Sequence, residues 1–154
     1  MANEFYGKFM EQLALGAINM QTAVFRLMLE EEASTYVYDW DHEFVDDLSG
    51  FVEVSAAGYS RQNLANKAVQ VDSGNSRIEL VADPVSWAGI ASGQRIDRGI
   101  LYVQTGGDDS TPGNDILIMK IDETTGLALP LLTNGGAVSL TFDAQGLIQL
   151  RQGS

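Results

Sequence analysis

Two stretches of the chain gather residue types that do chemistry. Residues 39–47, DWDHEFVDD, set the only histidine, His42, among five carboxylates: Asp39, Asp41, Glu43, Asp46 and Asp47. Residues 105–115, TGGDDSTPGND, place Asp108, Asp109 and Asp115 with three glycines and a proline between two apolar segments, RGILYVQ and ILIMKID. Clustered carboxylates hold hard cations, an imidazole beside an acid serves acid–base catalysis, and glycine-rich turns cradle phosphates.

Each of these chemistries lacks a required part. A calcium loop of the EF-hand type needs ligands at alternating positions, a central glycine and a terminal glutamate, and the tightly spaced acid pairs do not keep that register. A transition-metal site needs more soft or imidazole ligands, and the chain has no cysteine and no second histidine. The 105–115 loop has no lysine, and its aspartates would repel a phosphate. No Gly-x-Ser-x-Gly elbow is present, and His42 is the sole imidazole base. A glycosidase needs an acid and a base held several ångströms apart, and 21 acidic residues do not select a pair. The expectation is a protein that is not an enzyme and uses no cofactor or metal. In that reading the acidic run is the first turn of a short helix favoured by the helix dipole. The glycine-rich loop is then a hairpin tip, turned by Pro112-Gly113 and kept solvated by Asp108 and Asp109.

The elements that would position these residues belong to one domain, since 154 residues bury a single core. A hydrophobic fraction of 45% with 19% charged residues is ordinary globular composition. The formal charge of −12 repels polyphosphate, so direct nucleic-acid binding is not expected. No apolar run reaches the ~18 residues of a membrane span, and the N-terminus lacks the pattern of a secretion signal, so the expected product is soluble and made in a cytoplasm.

Residues 4–15 place Phe5, Phe9 and Leu13 four apart, with Tyr6 and Met10 alongside, which predicts an N-terminal helix stopped at Gly16. So short a helix must dock, either on its own domain or on a neighbouring subunit. TAVFRLMLEEE fits a buried strand or a second helix by periodicity alone, and the punctuation by Gly16 and Asn19 favours the strand. YVYDWDHEFVDDL begins with the β-favouring aromatic stretch Tyr36, Val37 and Tyr38 and then offers Asp39 or Asp41 as the cap of a short helix through Leu48 that turns Phe44, Val45 and Leu48 inward. From residue 50 on, FVEVSA, AVQVD, SRIELVAD, GILYVQ, DILIMKID, GAVSLTFD and LIQL are short β-like runs between turns, which predicts an antiparallel sandwich or barrel. Alternation puts Val69, Val71, Ile78 and Leu80 on one face, with Gln70, Arg77 and Glu79 on the other, joined by a hairpin turn at residues 72–75. Residues after 150 read as a frayed tail.

Taken in order, FYGKFMEQLALGAINMQTAVFRLMLEEEASTYVYDWDHEFVDDL, GYSRQNLANKAVQVD, RIELVADPVSWAGI, GILYVQTGGDDSTPGNDILIMKID and LTNGGAVSLTFDAQGLIQL resemble small virion structural proteins of tailed bacteriophages. The likeness spans nearly the whole chain. The chain departs from it in the extra Asp-Asp and Gly-Asn of the hairpin and in a more acidic EEEASTYVYDWDHE.

The resemblance implies a mainly β, jelly-roll-like antiparallel sandwich with an N-terminal helix and a short second helix. It implies a head decoration, or cement, protein that binds the major capsid protein across neighbouring subunits as a homo-oligomer. A tail or neck adaptor is the alternative, and a carbohydrate-binding or carbohydrate-cleaving module is a third reading, because fold does not fix function. The acidic charge suits the outer surface of the shell better than its DNA-filled interior, given a Debye length of about 8 to 10 Å. Such interfaces rest on aromatic anchors ringed by polar residues, and Phe5, Tyr6, Phe9 and Trp40 are the candidate interface residues.

Overall fold

The runs FRLML, GILYV and ILIMKI carry apolar residues at consecutive positions, as strands buried on both faces require. The structure, a computed structural model, describes residues 3–124 and 128–151 and places these runs at the centre of its largest sheet. The elements are β1 (Glu4–Phe5), α1 (Gly7–Ala14), β2 (Val24–Glu31), β3 (Gln62–Asn63), β4 (Ala68–Asp72), β5 (Arg77–Val81), β6 (Val85–Trp87), β7 (Arg95–Gln104), β8 (Ile116–Ile121), β9 (Leu131–Leu132), β10 (Val138–Leu140) and β11 (Ile148–Arg151). The chain is mainly β and antiparallel, a sandwich-like fold with one N-terminal α-helix.

The large sheet runs β1-β8-β7-β2-β3, with β9 also pairing β7. Its first face, with Phe25, Leu27, Leu29, Leu101 and Val103, packs against Leu80 and Ile148 of the sheet β11-β5-β4 and against Val85, Trp87, Val138 and Leu140 of the pair β10-β6. Its second face, with Met28, Ile100, Tyr102 and Leu117, lies under Tyr6, Tyr36 and Leu48. Both faces are therefore covered, and burial is continuous over Leu101, Tyr102 and Val103.

Several expectations are corrected. The helix begins at Gly7, because Glu4 and Phe5 pair with Lys120 and Met119 as an edge strand. It ends at Ala14, and Gly16 follows with φ of +71°, as a helix stop requires. The second helix does not form. Only a 3-10 turn, Val45–Asp47, is present, because the backbone of this segment bonds outward: Val45 N–H donates to Asp115 O, and Leu117 N–H donates to Glu43 O. FVEVSA makes only the isolated bridge of Glu53 with Glu30. The strand VFRLMLEE and the hairpin of β4 and β5 form as expected. Of the proposed tail, residues 152–154 lie outside the described residues, and Arg151 ends β11.

The loops at one end of the sandwich are laced backbone to backbone. Ala91 N–H donates to Ala57 O and Gly93 N–H to Thr133 O. Gly58 sits at φ of +88°, and a Cβ there would fall on the carbonyl oxygen of Gly89.

Candidate interaction surfaces

Of the four expected anchors, two are inside the protein. Tyr6 and Phe9 are fully buried. Phe9 meets Phe25 edge-on, with ring centroids 6.3 Å apart, and Tyr6 O–H lies 2.9 Å from Tyr36 O–H. These two are corrected: they hold the helix and its approach to the protein's own sheet. Phe5 is half-buried and stacks on Phe9 at 6.1 Å. Trp40 alone stands out, at 52% exposed. Its indole lies over Gly7, where a Cβ would come within 2.5 Å of Nε1, so glycine is what lets the ring lie flat against the helix start.

The acidic run is consumed by local turns. Asp39 Oδ1 accepts from Asp41 N–H at 3.0 Å. Asp47 Oδ2 accepts from the N–H groups of Glu43 and Phe44 at 2.9 and 2.8 Å. His42 Nδ1 lies 3.2 Å from the Tyr36 hydroxyl. Glu43 shares Lys8 with Glu11, at 3.8 and 3.1 Å. These bonds shape the 36–51 segment as a cover for the second face of the large sheet. Around Trp40 they leave Asp41, Glu43 and Glu11 with Lys8 beside them. Val37, 77% exposed, adds a second apolar side chain to the same segment.

The glycine-rich loop is also put to structural use, which corrects the expectation that both its tip aspartates stay solvated. Pro112–Asn114 form a 3-10 turn, and Asp108 accepts from Ser110 N–H at the exposed tip. Asp109 instead folds back onto the sheet. It accepts from Tyr102 O–H at 2.6 Å, Gln104 Nε2 at 2.9 Å and Arg26 Nη1 at 2.7 Å, with Arg61 Nη1 3.6 Å away. Partial burial works against its charge, but the bonds from Tyr102 and Gln104 and the two guanidiniums outweigh it and hold the carboxyl below its usual range. Burial and the Asp109 bond in turn push the Tyr102 hydroxyl up. Arg61 bridges onward to Glu53, which also accepts from Tyr59 O–H at 2.7 Å. Asp115, fully buried, receives Thr105 N–H at 2.9 Å and closes the loop's base.

A second charged ladder crosses the far end of the same sheet face. Arg98 Nε lies 2.8 Å from Glu30 and 4.0 Å from Asp122, and its Nη2 lies 3.0 Å from Asp97. Lys120 Nζ joins Asp122 at 2.9 Å and Glu4 at 2.6 Å. Glu30 and Asp122 are buried. Burial pushes the Glu30 carboxyl up, and Ser34 and Arg98 offset only part of that. Four carboxylates face two cations here, and the pairing is internal to β1, β2, β7 and β8. Sequence reading missed both networks. Their one visible signal was a charge at every second position of apolar strands, as in Lys120 and Asp122.

The remaining feature among the described residues is a partly exposed apolar face on the small sheet. Register puts Val71, Ile78 and Leu150 side by side on adjacent strands, with Val69, Leu80 and Ile148 in the next row. The faces are those expected from alternation, yet only one end is covered. Leu80 and Ile148 are buried in the core, whereas Val71 is 74% and Ile78 40% exposed. Two residues of strand span about 7 Å, enough to carry the hairpin end past the large sheet. The outward row forms an open groove lined also by Asp72, Ser73, Ser76, Arg77 and Arg151. On the opposite face of that sheet Arg77 is held by Glu79 at 2.6 Å and Asp72 at 2.9 Å. Arg151 is exposed, with its guanidinium on the Gln149 side chain.

No protein-family model, curated protein or solved structure matches this chain.

Proposed function

We propose that this protein is a non-enzymatic structural component of a tailed-bacteriophage virion, a head decoration or cement protein. It binds the major capsid protein across neighbouring subunits on the outer shell. The observation that carries this reading is where the reactive and the apolar side chains sit. Asp39, Asp47, Asp109, Asp115 and His42 are engaged in bonds that fix loops, while Val37, Trp40, Val71 and Ile78 are left at the surface. Apolar anchors with polar rims are the raw material of protein–protein contacts. The sequence resemblance supplies the class of particle. A net charge of −12 favours the outside of a DNA-filled shell.

The test is direct. Purified protein mixed with undecorated shells should bind saturably, and absence of binding at the highest soluble concentration overturns the reading. Copy number in purified particles separates the locations: hundreds of copies fit the head lattice, and a dozen or fewer move the protein to the tail or neck. Glycan hydrolysis by the isolated protein, abolished at one carboxylate, would replace both.

A further inference from the structure

Twice within its own structure the protein holds a cation against an aromatic ring and a pair of carboxylates. Lys120 Nζ lies 5.0 Å from the centroid of the Tyr38 ring and reaches Glu4 and Asp122 at 2.6 and 2.9 Å. The Arg61 guanidinium lies 5.5 Å from the centroid of the Tyr102 ring, with Glu53 at 2.8 Å and Asp109 at 3.6 Å. Each arrangement adds the pull of the ring's negative face to that of the acids.

A third set of such acceptors opens to solvent beside Trp40. The indole, 52% exposed, forms a wall of a hollow of about 270 Å³ that it shares with Gly7, Lys8, Glu11, Asp41 and Glu43. A Cβ on Gly7 would come within 2.5, 2.8 and 3.2 Å of the ring atoms Nε1, Cε2 and Cδ1, so one side of the ring rests on the helix start and its exposed area lies on the other. Three carboxylates here face one ammonium, that of Lys8, which is held between Glu11 and Glu43 at 3.1 and 3.8 Å. Among the described residues no cation stands over the indole and none pairs with Asp41. The hollow is smaller than the roughly 300 to 1,000 Å³ of a small-molecule pocket, so its size suits a side chain.

We propose that this hollow receives an arginine side chain presented by a different protein. A guanidinium is planar and weakly hydrated, so it stacks on an indole while its N–H fork donates to a carboxylate, and Asp41 is the carboxylate without a cation of its own. Five of the chain's six arginines, Arg26, Arg61, Arg77, Arg95 and Arg98, already stand in ion pairs with its own acids. A charge of −12 also sets copies of the chain against one another, which favours a different protein as the donor. This deepens the proposed function and rests on it only for the identity of the partner, the shell subunit.

The probe is the peptide acetyl-Gly-Arg-Gly-amide, titrated into the whole protein and followed by the indole N–H signals in nitrogen–proton NMR spectra. Trp40 should shift saturably with a millimolar Kd, while Trp87, whose indole N–H donates to Ser60 O at 2.7 Å, stays in place. The same peptide with citrulline, planar but uncharged, should bind at least about tenfold more weakly. Asp41→Asn and Trp40→Leu, both at exposed positions, should keep the fold and each weaken binding at least about threefold, the latter followed at Gly7 N–H. Asp108→Asn, which removes one charge outside the hollow, should bind as the wild type does. No saturable Trp40 shift, an equal response to citrulline, or undiminished binding by Trp40→Leu would overturn the site. So would an Asp108→Asn that weakens binding as much as Asp41→Asn, since the net charge alone would then account for it. If Trp40→Leu misfolds, Asp41→Asn against Asp108→Asn decides. Peptide binding without shell binding keeps this site and overturns the proposed function; shell binding without peptide binding does the reverse.

Discussion

Replacing Asp109 with Asn keeps the side chain's shape but removes the charge that gathers Arg26, Tyr102, Gln104 and Arg61. It leaves two partly buried guanidiniums short of an acceptor, a loss of about 1 to 3 kcal/mol. Urea denaturation of Asp109→Asn should show that loss, and Asp108→Asn, at the exposed tip, should show almost none. The pH dependence has a definite sign. The folded carboxyl is held below its usual value by Tyr102, Gln104 and the arginines against the effect of burial. Its contribution is thus complete above the unfolded pKa of roughly 3.9 and is lost as pH falls through the depressed folded value. At this scale the sequence was misleading for a physical reason: Asp108 and Asp109 are neighbours of one type. Only the fold of the loop decides which one turns toward Arg26.

Among the elements, α1 shows what the alternation and helical period do and do not specify. The spacing of Phe5, Phe9 and Leu13 identified an amphipathic face, and Phe9 is indeed fully buried. What the period left open was the receiver of that face, and the receiver is the protein's own core, at Phe25. Phe9→Asp should therefore abolish cooperative thermal unfolding in the isolated protein, since even Phe→Ala in a core costs about 3 to 5 kcal/mol. A variant that melts like the wild type would remove α1 from the core. The hairpin of β4 and β5 was legible because Asp72-Ser-Gly-Asn is a turn between two alternating runs. The 39–48 segment was not. Its acids resemble a helix start, yet Asp47 bonds back to the N–H groups of Glu43 and Phe44, while Val45 N–H and Glu43 O bond across to Asp115 and Leu117. Tertiary partners 70 residues away in sequence leave no local trace. The anchors Tyr6 and Phe9 were misplaced for the same reason, whereas Trp40, amid carboxylates, kept the exposure its surroundings suggest.

Across the whole molecule, the ladder Glu4, Lys120, Asp122, Arg98 and Glu30 ties four strands of the large sheet together, so its protonation is felt by the fold as a unit. Burial, offset in part by Ser34 and Arg98, holds the Glu30 carboxyl above its ordinary value. The folded protein therefore keeps that proton over an interval in which the unfolded chain has lost it. Stability from this group is greatest at acid pH and declines as pH rises from roughly 4.3 through the raised folded pKa. Denaturation midpoints measured across that window should fall for the wild type and stay flatter for Glu30→Gln; equal slopes would show that another group sets the trend. The lacing of loops at Gly58 and Gly89 bears on something different, the history the chain can have. Two backbones in direct contact admit no side chain between them, so drift at these positions is blocked, while a solvent-facing charge such as Asp108 at the loop tip is free to change. A saturation library selected for folding should return glycine at 58. Distant kin of this protein would then be found by glycine spacing rather than by charge.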